Sequence, residues 1–254
     1  MAYTVERRIV VPDKYVQNAS GYVAPFRQVH LHSTANPSAP LDNEVAYLSR
    51  KYQKGNYTHL VGENGRVIQV AEVGQSAWDL GGSWNAETYA AIEFGEKVTS
   101  QSDFDKSYRA YIELARDLAK QAGIPLTLDT PDIAGIKTHN YASRTGHGSD
   151  HTDPIAFLAK WGVSYAQLKR DIENGFSNGN GEKPKTKTKK GELMLLFKES
   201  DGKIYFLLGN TYTYVGKPKE LDKIKVMMNK AGYDTWIHTD PEQIKYLKRL
   251  AKNV

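Results

Sequence analysis

Cysteine is absent from this sequence of 254 residues. Without thiols there is no disulfide, no cysteine nucleophile and no sulfur ligand, so any bound metal has to be held by His, Asp or Glu. The sequence also lacks the apolar run of about eighteen residues that a membrane-spanning helix requires. Its first residues, MAYTVERRIVVP, lack the basic, apolar and small-residue zones of a secretory signal. These absences predict a globular protein that is made in the cytoplasm without a signal peptide and contacts no membrane.

Positive charge is concentrated near the C-terminus. Residues 182–254 contain 16 Lys and Arg against 9 Asp and Glu, whereas residues 1–181 contain 18 against 20. A basic region favours binding to a polyanion, either nucleic acid or an acidic cell-wall polymer, although a run of lysines is most often a solvated linker.

A polar segment predicts a domain boundary. Residues 173–191, ENGFSNGNGEKPKTKTKKG, have no apolar periodicity and the composition of a flexible, self-repelling tether. We therefore expect one domain over residues 1–174, a basic linker over 175–192 and a small second domain over 193–254.

Apolar patterns predict an α/β fold for the first domain. Strands are expected over residues 26–32 and 89–95, and a hairpin over 58–72 turns at an Asn-Gly pair. Residues 102–123 have the apolar spacing of an amphipathic helix, with Ser102 as N-cap and Gly123 as the stop. Strands alternating with helices indicate a central mixed β-sheet flanked by helices.

The second domain is predicted to be a small α+β unit. Residues 193–215 contain two or three strands with an Asp-Gly turn, and a helix follows from Pro218. A short strand over 234–239 and a last helix over 240–253, with Asp240 as N-cap, complete it.

The stretch HNYASRTGHGSDHTDP, residues 139–154, contains three of the seven histidines of the chain. Such a stretch is either a solvated surface loop or part of a metal site. A hydrolytic zinc site needs three protein ligands and an open position for water. His32, at the end of the predicted strand, would supply that set together with His139 and Asp153.

Four motifs in this order resemble a known family. They are HSTANP at 32–37, NYTHLVGENGRVIQVAE with His59, AAIEFG with Glu93, and a His followed by HTDP. Together they resemble the zinc-dependent N-acetylmuramoyl-L-alanine amidases of phage lysins, peptidoglycan-recycling enzymes and peptidoglycan recognition proteins, over roughly residues 20–165. The resemblance implies the same mixed-sheet fold.

The resemblance also implies roles for individual residues. The zinc ligands would be His32, preferred over its neighbour His30, with His139 and Asp153. Where many members carry a Lys that stabilises the tetrahedral intermediate, this chain has His151. Because an imidazole changes charge near pH ~6.5, we expect activity to be more pH-sensitive than with Lys.

The general base of some members is a Tyr at a position that is Thr58 here, and Thr cannot serve. Other members use the Glu of Ile-Glu, which is Glu93; the alternative is a structural carboxylate. His59 is expected to be structural or to support the site near the substrate.

Candidate substrate contacts are Trp78, Trp84, His147 and also His59, although packing is an equally common role for the tryptophans and solvation the simpler role for His147. Asp79 stands where members often carry His, so contact with the substrate is expected to differ there.

The implied function is that of a phage endolysin. It would hydrolyse the amide between N-acetylmuramic acid and L-alanine in Gram-positive peptidoglycan, with Zn²⁺ as its only cofactor, after release from the host cytoplasm by a holin. The second domain would bind cell-wall carbohydrate and raise the effective concentration of the enzyme on an insoluble wall. Its candidate contacts are Tyr212, Tyr214 and Trp236, although strand aromatics are more often core residues.

Other functions stay open. They are a host autolysin or bacteriocin-like amidase with the same chemistry, a non-catalytic peptidoglycan receptor, and a nucleic-acid-binding protein or nuclease suggested by the basic tail. We expect no nucleic-acid partner, and self-association through the second domain is a further possibility.

Overall fold

A six-stranded sheet organises the N-terminal part of the computed structural model. The structure describes residues 3–176, 194–209, 211–230, 237–239, 244–245, 248–249 and 252–253. The chain divides into two units, Met1–Ser177 and Asn178–Val254. This division falls inside the segment 175–192 predicted as a linker, most of which lies outside the described residues.

The sheet of the first unit is mixed, with strand order β1-β4-β3-β5-β2-β6. Strands β3 and β4 pair antiparallel, whereas β5, β2 and β6 are mutually parallel neighbours. The strands are β1 (Val5–Arg7), β2 (Gln28–Ser33), β3 (His59–Gly62), β4 (Arg66–Gln69), β5 (Thr88–Phe94) and β6 (Gly135–Thr138). The helices are α1 (Tyr15–Ser20), α2 (Leu41–Lys51), α3 (Gln101–Gln121), α4 (His139–Arg144), α5 (Ile155–Lys160) and α6 (Tyr165–Asn174), with a 3-10 helix at Ser83–Glu87.

The predicted hairpin is present between β3 and β4. Its turn residues Glu63, Asn64 and Gly65 have φ of 47°, 64° and 89°. A Cβ at Gly65 would lie 3.1 Å from the carbonyl oxygen of Lys106, so this position favours glycine both for its backbone and for its close contact with α3.

Helix α3 covers one face of the sheet. Its apolar stripe includes Phe104 and Tyr111, which pack against Leu31 of β2 and Phe94 of β5. The helix begins at Gln101 after Ser100, whose hydroxyl accepts a hydrogen bond from the backbone of Asp103. The predicted N-cap Ser102 is therefore wrong, because the first turn starts two residues earlier.

The opposite face of the sheet has two different parts. Over β3 and β4 it is apolar, because Leu60 and Ile68 pack against Leu41 and Val45 of α2. Over β2 it is polar, since alternate residues of that strand are Gln28, His30 and His32, and all three are buried. The sheet thus presents a buried polar surface beside an apolar core.

The second unit contains a five-stranded sheet of order β10-β7-β8-β9-β11 and the helix α7. Within the predicted last helix, residues 244–245 and 248–249 are also helical. Its elements are β7 (Met194–Lys198), β8 (Ile204–Leu208), β9 (Thr211–Tyr214), α7 (Pro218–Lys230), β10 (Ile237–His238) and β11 (Lys252–Asn253). Residues 252–253 pair with β9, so the prediction of a helix up to residue 253 is wrong at its end. The predicted strand over 234–239 is described only at 237–238 as strand, and Trp236 lies outside the described residues.

Among the described residues, no helix is both long enough and apolar enough to cross a membrane.

Candidate metal centre

Three parallel strands bring the candidate chemistry to one edge of the sheet. His32 lies near the carboxyl end of β2, Glu93 near that of β5, and His139 directly follows β6. His32 pairs in register with Glu93, so the two side chains project from the same face. Because parallel strands end at the same edge, residues far apart in sequence meet there.

The donor atoms of His32, His139 and Asp153 converge on one point. The Nδ1 atoms of the two histidines are 3.1 Å apart. Asp153 Oδ2 is 3.3 Å from His32 Nδ1, and its Oδ1 is 3.4 Å from His139 Nδ1. The three residues come from a strand end, a helix start and a loop; the start of α4 at His139 was not predicted from the sequence.

This donor set fits zinc. Four ligands about 2.0–2.1 Å from one ion in tetrahedral geometry lie about 3.3–3.4 Å from one another, close to the separations found here. Two imidazoles and one carboxylate are also the donors of hydrolytic zinc sites, which keep one position open for water. His32 and His139 could therefore hold Zn²⁺ together with Asp153.

Each of these three side chains is oriented by a further contact. His32 Nε2 lies 3.0 Å from Asp79 Oδ2, His139 Nε2 lies 3.0 Å from Ser149 Oγ, and Asp153 Oδ2 accepts a hydrogen bond from the Ser33 backbone. Among the described residues, a second group with metal-compatible spacing consists of His30, His32 and Asp79.

The two histidines differ electrostatically. Burial opposes a charge on His32, but the nearby carboxylates of Asp153 and Asp79 raise its pKa well above the usual value. Burial and the neighbouring His32 lower the pKa of His139 to about 4. Burial opposes ionisation of Asp153 too, yet the hydrogen bond with His32 lowers its pKa. The two neighbouring imidazoles therefore differ in basicity, with the pKa of His32 raised and that of His139 lowered.

Glu93 has a carboxyl group with a strongly raised pKa. Burial raises its pKa to about 8, although the nearby His32 acts in the opposite direction. Its Oε2 is sequestered from solvent and has no hydrogen-bond partner among the described residues, while the rest of the side chain is only partly buried. A carboxyl group with one unpartnered oxygen beside a polar cluster is suited to accept or deliver a proton.

His151 lies at the mouth of the cluster. Its side chain is 66% exposed, its ring stacks on that of His139 with centroids 4.9 Å apart, and its Nδ1 is 3.9 Å from Asp153 Oδ1. It is thus the described cluster residue with the greatest access to a ligand from solvent.

The other predicted site residues lie outside this cluster and differ in how far they are exposed. Trp84 is 7% exposed and stacks on His147 with ring centroids 4.3 Å apart, so His147 covers it from one side. Trp78 is half-buried against Tyr15. His59 is 3% exposed, and its Nδ1 contacts Thr58 Oγ1 at 2.8 Å, which places it in the interior with little surface for a substrate.

Sequence reasoning missed two residues that contact the predicted ligands from outside. Asp79 was treated as an altered substrate contact, and Ser149 was not singled out. The alternation of Gln28, His30 and His32 could have revealed the need for a buried partner, because three polar side chains on one face of a strand must find acceptors and donors.

The chain is similar in sequence to known proteins. The family description N-acetylmuramoyl-L-alanine amidase matches residues 22–156 of the chain. A lytic amidase of Streptococcus pneumoniae phage HB-3 is 51% identical over 162 residues, which are 63% of this chain and 51% of that protein. An endolysin of Listeria phage A511 is 38% identical over 183 residues, 70% of this chain and 51% of that protein. The chain thus spans about half the length of these two relatives.

A solved structure is similar in fold. The crystal structure of Staphylococcus aureus hydrolase AmiA in complex with its ligand superposes with a TM-score of 0.59 and 23% identity, covering 68% of this chain and 83% of that one. This likeness supports the mixed sheet with flanking helices.

Proposed function

This chain belongs to the N-acetylmuramoyl-L-alanine amidase family, and we propose that it hydrolyses the amide between N-acetylmuramic acid and the L-alanine of the peptidoglycan stem peptide. The observation that carries the proposal is the convergence of His32 Nδ1, His139 Nδ1 and the carboxylate of Asp153 within 3.4 Å of one another. These residues would hold Zn²⁺. When bound, zinc supplies a Lewis acid, lowers the pKa of water toward about 7 and favours the ionised form of nearby carboxylates.

Glu93 is the proposed general base. It projects from the strand next to His32, and burial raises its pKa to about 8, so its ionised form, which a bound cation would favour, is a stronger base than an ordinary carboxylate and can take a proton from the attacking water. Its unpartnered Oε2 supports this role, because a structural carboxylate would have its oxygens hydrogen-bonded.

His151 is the proposed donor to the reacting carbonyl oxygen or to the departing amine. It is exposed while the cluster behind it is buried, so a substrate that enters from solvent meets this imidazole first. Trp78 and His147, which are both partly exposed, are proposed to contact the substrate. We assign packing roles to Trp84, which stacks on His147, and to His59, which is buried in β3.

The proposal is tested by incubating the purified protein with Gram-positive sacculi, with and without a chelator. New L-alanine amino termini are measured against new reducing sugars. Asp153→Asn is the test variant, and Asp150→Asn is its matched control, because Asp150 lies in the same loop but is exposed and outside the cluster.

We expect amino termini from the wild type and from Asp150→Asn only when metal is present, and none from Asp153→Asn. Reducing sugars in place of amino termini would mean a glycosidase. Binding of sacculi without any cleavage would favour the alternative of a non-catalytic peptidoglycan receptor.

We further propose that the protein acts as an endolysin, with the second unit holding it on the cell wall. Both phage relatives support this reading over a host autolysin. Of the aromatic candidates, Tyr214 is 52% exposed and available for carbohydrate, whereas Tyr212 is 8% exposed and packs beside Phe197 in the core of the unit.

Sedimentation with sacculi in the presence of chelator tests the binding role without cleavage. Tyr214→Ala should lower the bound fraction, and Thr213→Ala, the neighbouring exposed residue on β9, should not. Binding to DNA instead of sacculi at about physiological salt would support the nucleic-acid alternative.

A further inference from the structure

A buried carboxylate lies behind the proposed metal centre. The side chain of Asp79 is 2% exposed, and its Oδ2 lies 2.6 Å from His30 Nδ1 and 3.0 Å from His32 Nε2. Its other oxygen accepts a hydrogen bond of 2.8 Å from Thr88 Oγ1. This carboxylate therefore touches the ring nitrogen of His32 that points away from His139 and Asp153.

The contacts of Gln28 show which atoms donate and which accept hydrogen bonds around His30. The amide nitrogen of Gln28 donates to the backbone carbonyl of Ile133 at 2.6 Å, so the amide oxygen of Gln28 faces His30 Nε2 and accepts from it at 2.8 Å. Both ring nitrogens of His30 are thus engaged, one with an amide oxygen and one with Asp79.

These contacts decide against an ion between His30, His32 and Asp79. A separation of 2.6 Å between His30 Nδ1 and Asp79 Oδ2 is a short hydrogen bond, whereas two ligands of one tetrahedral ion lie about 3.3 Å apart. The group that resembles a second metal site is instead a hydrogen-bonded support for His32.

We propose that Asp79 is a positioning residue for the metal centre. Its carboxylate accepts the Nε2 proton of His32, which fixes the tautomer and the ring orientation in which the Nδ1 lone pair faces His139 and Asp153. This inference rests on the proposed function, because it assigns a purpose to the second nitrogen of a proposed ligand. Asp79 acts through His32 and does not touch the substrate.

The segment that holds Asp79 also reaches the second histidine. The backbone nitrogen of Leu80 donates to Asn85 Oδ1 at 2.8 Å, and its carbonyl accepts from the backbone of Ser149 at 2.7 Å. The hydroxyl of Ser149 is in turn 3.0 Å from His139 Nε2. One short stretch of chain thus orients the outer nitrogens of both histidines.

The experiment compares zinc affinity in full-length Asp79→Asn and wild type by competition with a chromogenic chelator. Thr88→Val is the matched control, because it removes a hydroxyl that contacts the other oxygen of the same carboxylate and His30, and leaves the contact of Asp79 with His32 in place. Melting of each metal-free protein reports any general loss of stability. We expect Asp79→Asn to bind zinc about 10–100-fold more weakly and Thr88→Val to differ from wild type by less than about threefold.

Equal zinc affinity of wild type and Asp79→Asn, or equal weakening in both variants, would overturn the assignment. If Asp79→Asn fails to fold, nitrogen-15 spectra of the histidines in zinc-loaded wild type decide. A proton on His32 Nε2, shifted downfield by the carboxylate, is the expected result, and a proton on Nδ1 refutes it. Failure of the wild type to bind zinc at all would overturn the proposed function itself, a result distinguishable from the others.

Discussion

Replacing Glu93 with Gln should make the protein more stable and remove the proposed hydrolytic activity. Glu93 has one oxygen that is sequestered and has no hydrogen-bond partner in the described part of the chain, and burial raises its pKa from 4.5 to about 8. A raised carboxyl pKa contributes stability that is complete below the unfolded pKa and is lost as the pH rises through the folded one. Gln has nearly the same shape and no charge, so it avoids this loss.

The magnitude follows from the pKa shift. At about 1.4 kcal/mol per pKa unit, the shift corresponds to roughly 5 kcal/mol above pH 8 and to roughly 3 kcal/mol at pH 7. Since part of the side chain reaches solvent, we expect about 2–3 kcal/mol at pH 7. For a unit of this size, that gain raises the melting temperature by roughly 4–12 °C.

The assay is calorimetry of wild type and Glu93→Gln in chelator at several pH values between 4 and 8. The stability difference should widen steadily as the pH rises, and the zinc-loaded variant should release no L-alanine termini from sacculi. A difference that stays constant with pH would show that Glu93 does not titrate as argued. Full activity of the variant would exclude it as the general base.

Further predictions concern a buried histidine, a buried carboxylate and the metal. Burial lowers the pKa of His59 to about 3, so the stability that its neutral ring contributes above pH ~6.5 is lost as the pH falls. His59→Asn should therefore reduce the slope of the free energy of unfolding in urea against pH, in the acid range, by up to about 1.4 kcal/mol per pH unit. An unchanged slope would contradict this. Asp103→Ala should lower the free energy of unfolding by about 2–4 kcal/mol, because the carboxylate of Asp103 accepts hydrogen bonds from Asn64 and Thr99 at the start of α3. A loss below about 1 kcal/mol would show that water replaces these hydrogen bonds. In thermal melts, zinc at about 100 times its dissociation constant should stabilise the wild type by about 2.7 kcal/mol and leave the stability of Asp153→Asn unchanged. Equal stabilisation of both proteins would mean that the ion binds at a site without Asp153.

Local patterns were enough to predict most of the elements that surround the site. The strand around residues 28–33, the hairpin at Asn64-Gly65 and helix α3 follow from apolar periodicity and turn chemistry, which act over a few residues. The N-cap of α3 was misplaced because Ser100 and Ser102 are both good capping residues, and only the hydrogen bond with Asp103 distinguishes them.

The order of the motifs was enough to select the candidates for the metal centre. His32, His139 and Asp153 were chosen from sequence, and the structure brings their donor atoms together, although their role as zinc ligands stays a proposal. Exposure could not be predicted in the same way. Tyr212 and Tyr214 lie on one short strand, yet one is buried and the other exposed, because burial depends on what packs over each end of the strand.

The sequence by itself determined which residue types are available for catalysis and which short segments form strands and helices, because these depend on neighbours within a turn or two. Only the tertiary structure decided that Asp79 faces His30 and His32. Those contacts join positions 47 and 49 residues apart, and no local pattern fixes them, since they arise when a loop closes over the polar face of β2. The orientation of each imidazole therefore belongs to the fold, even though the imidazoles themselves can be read from the chain.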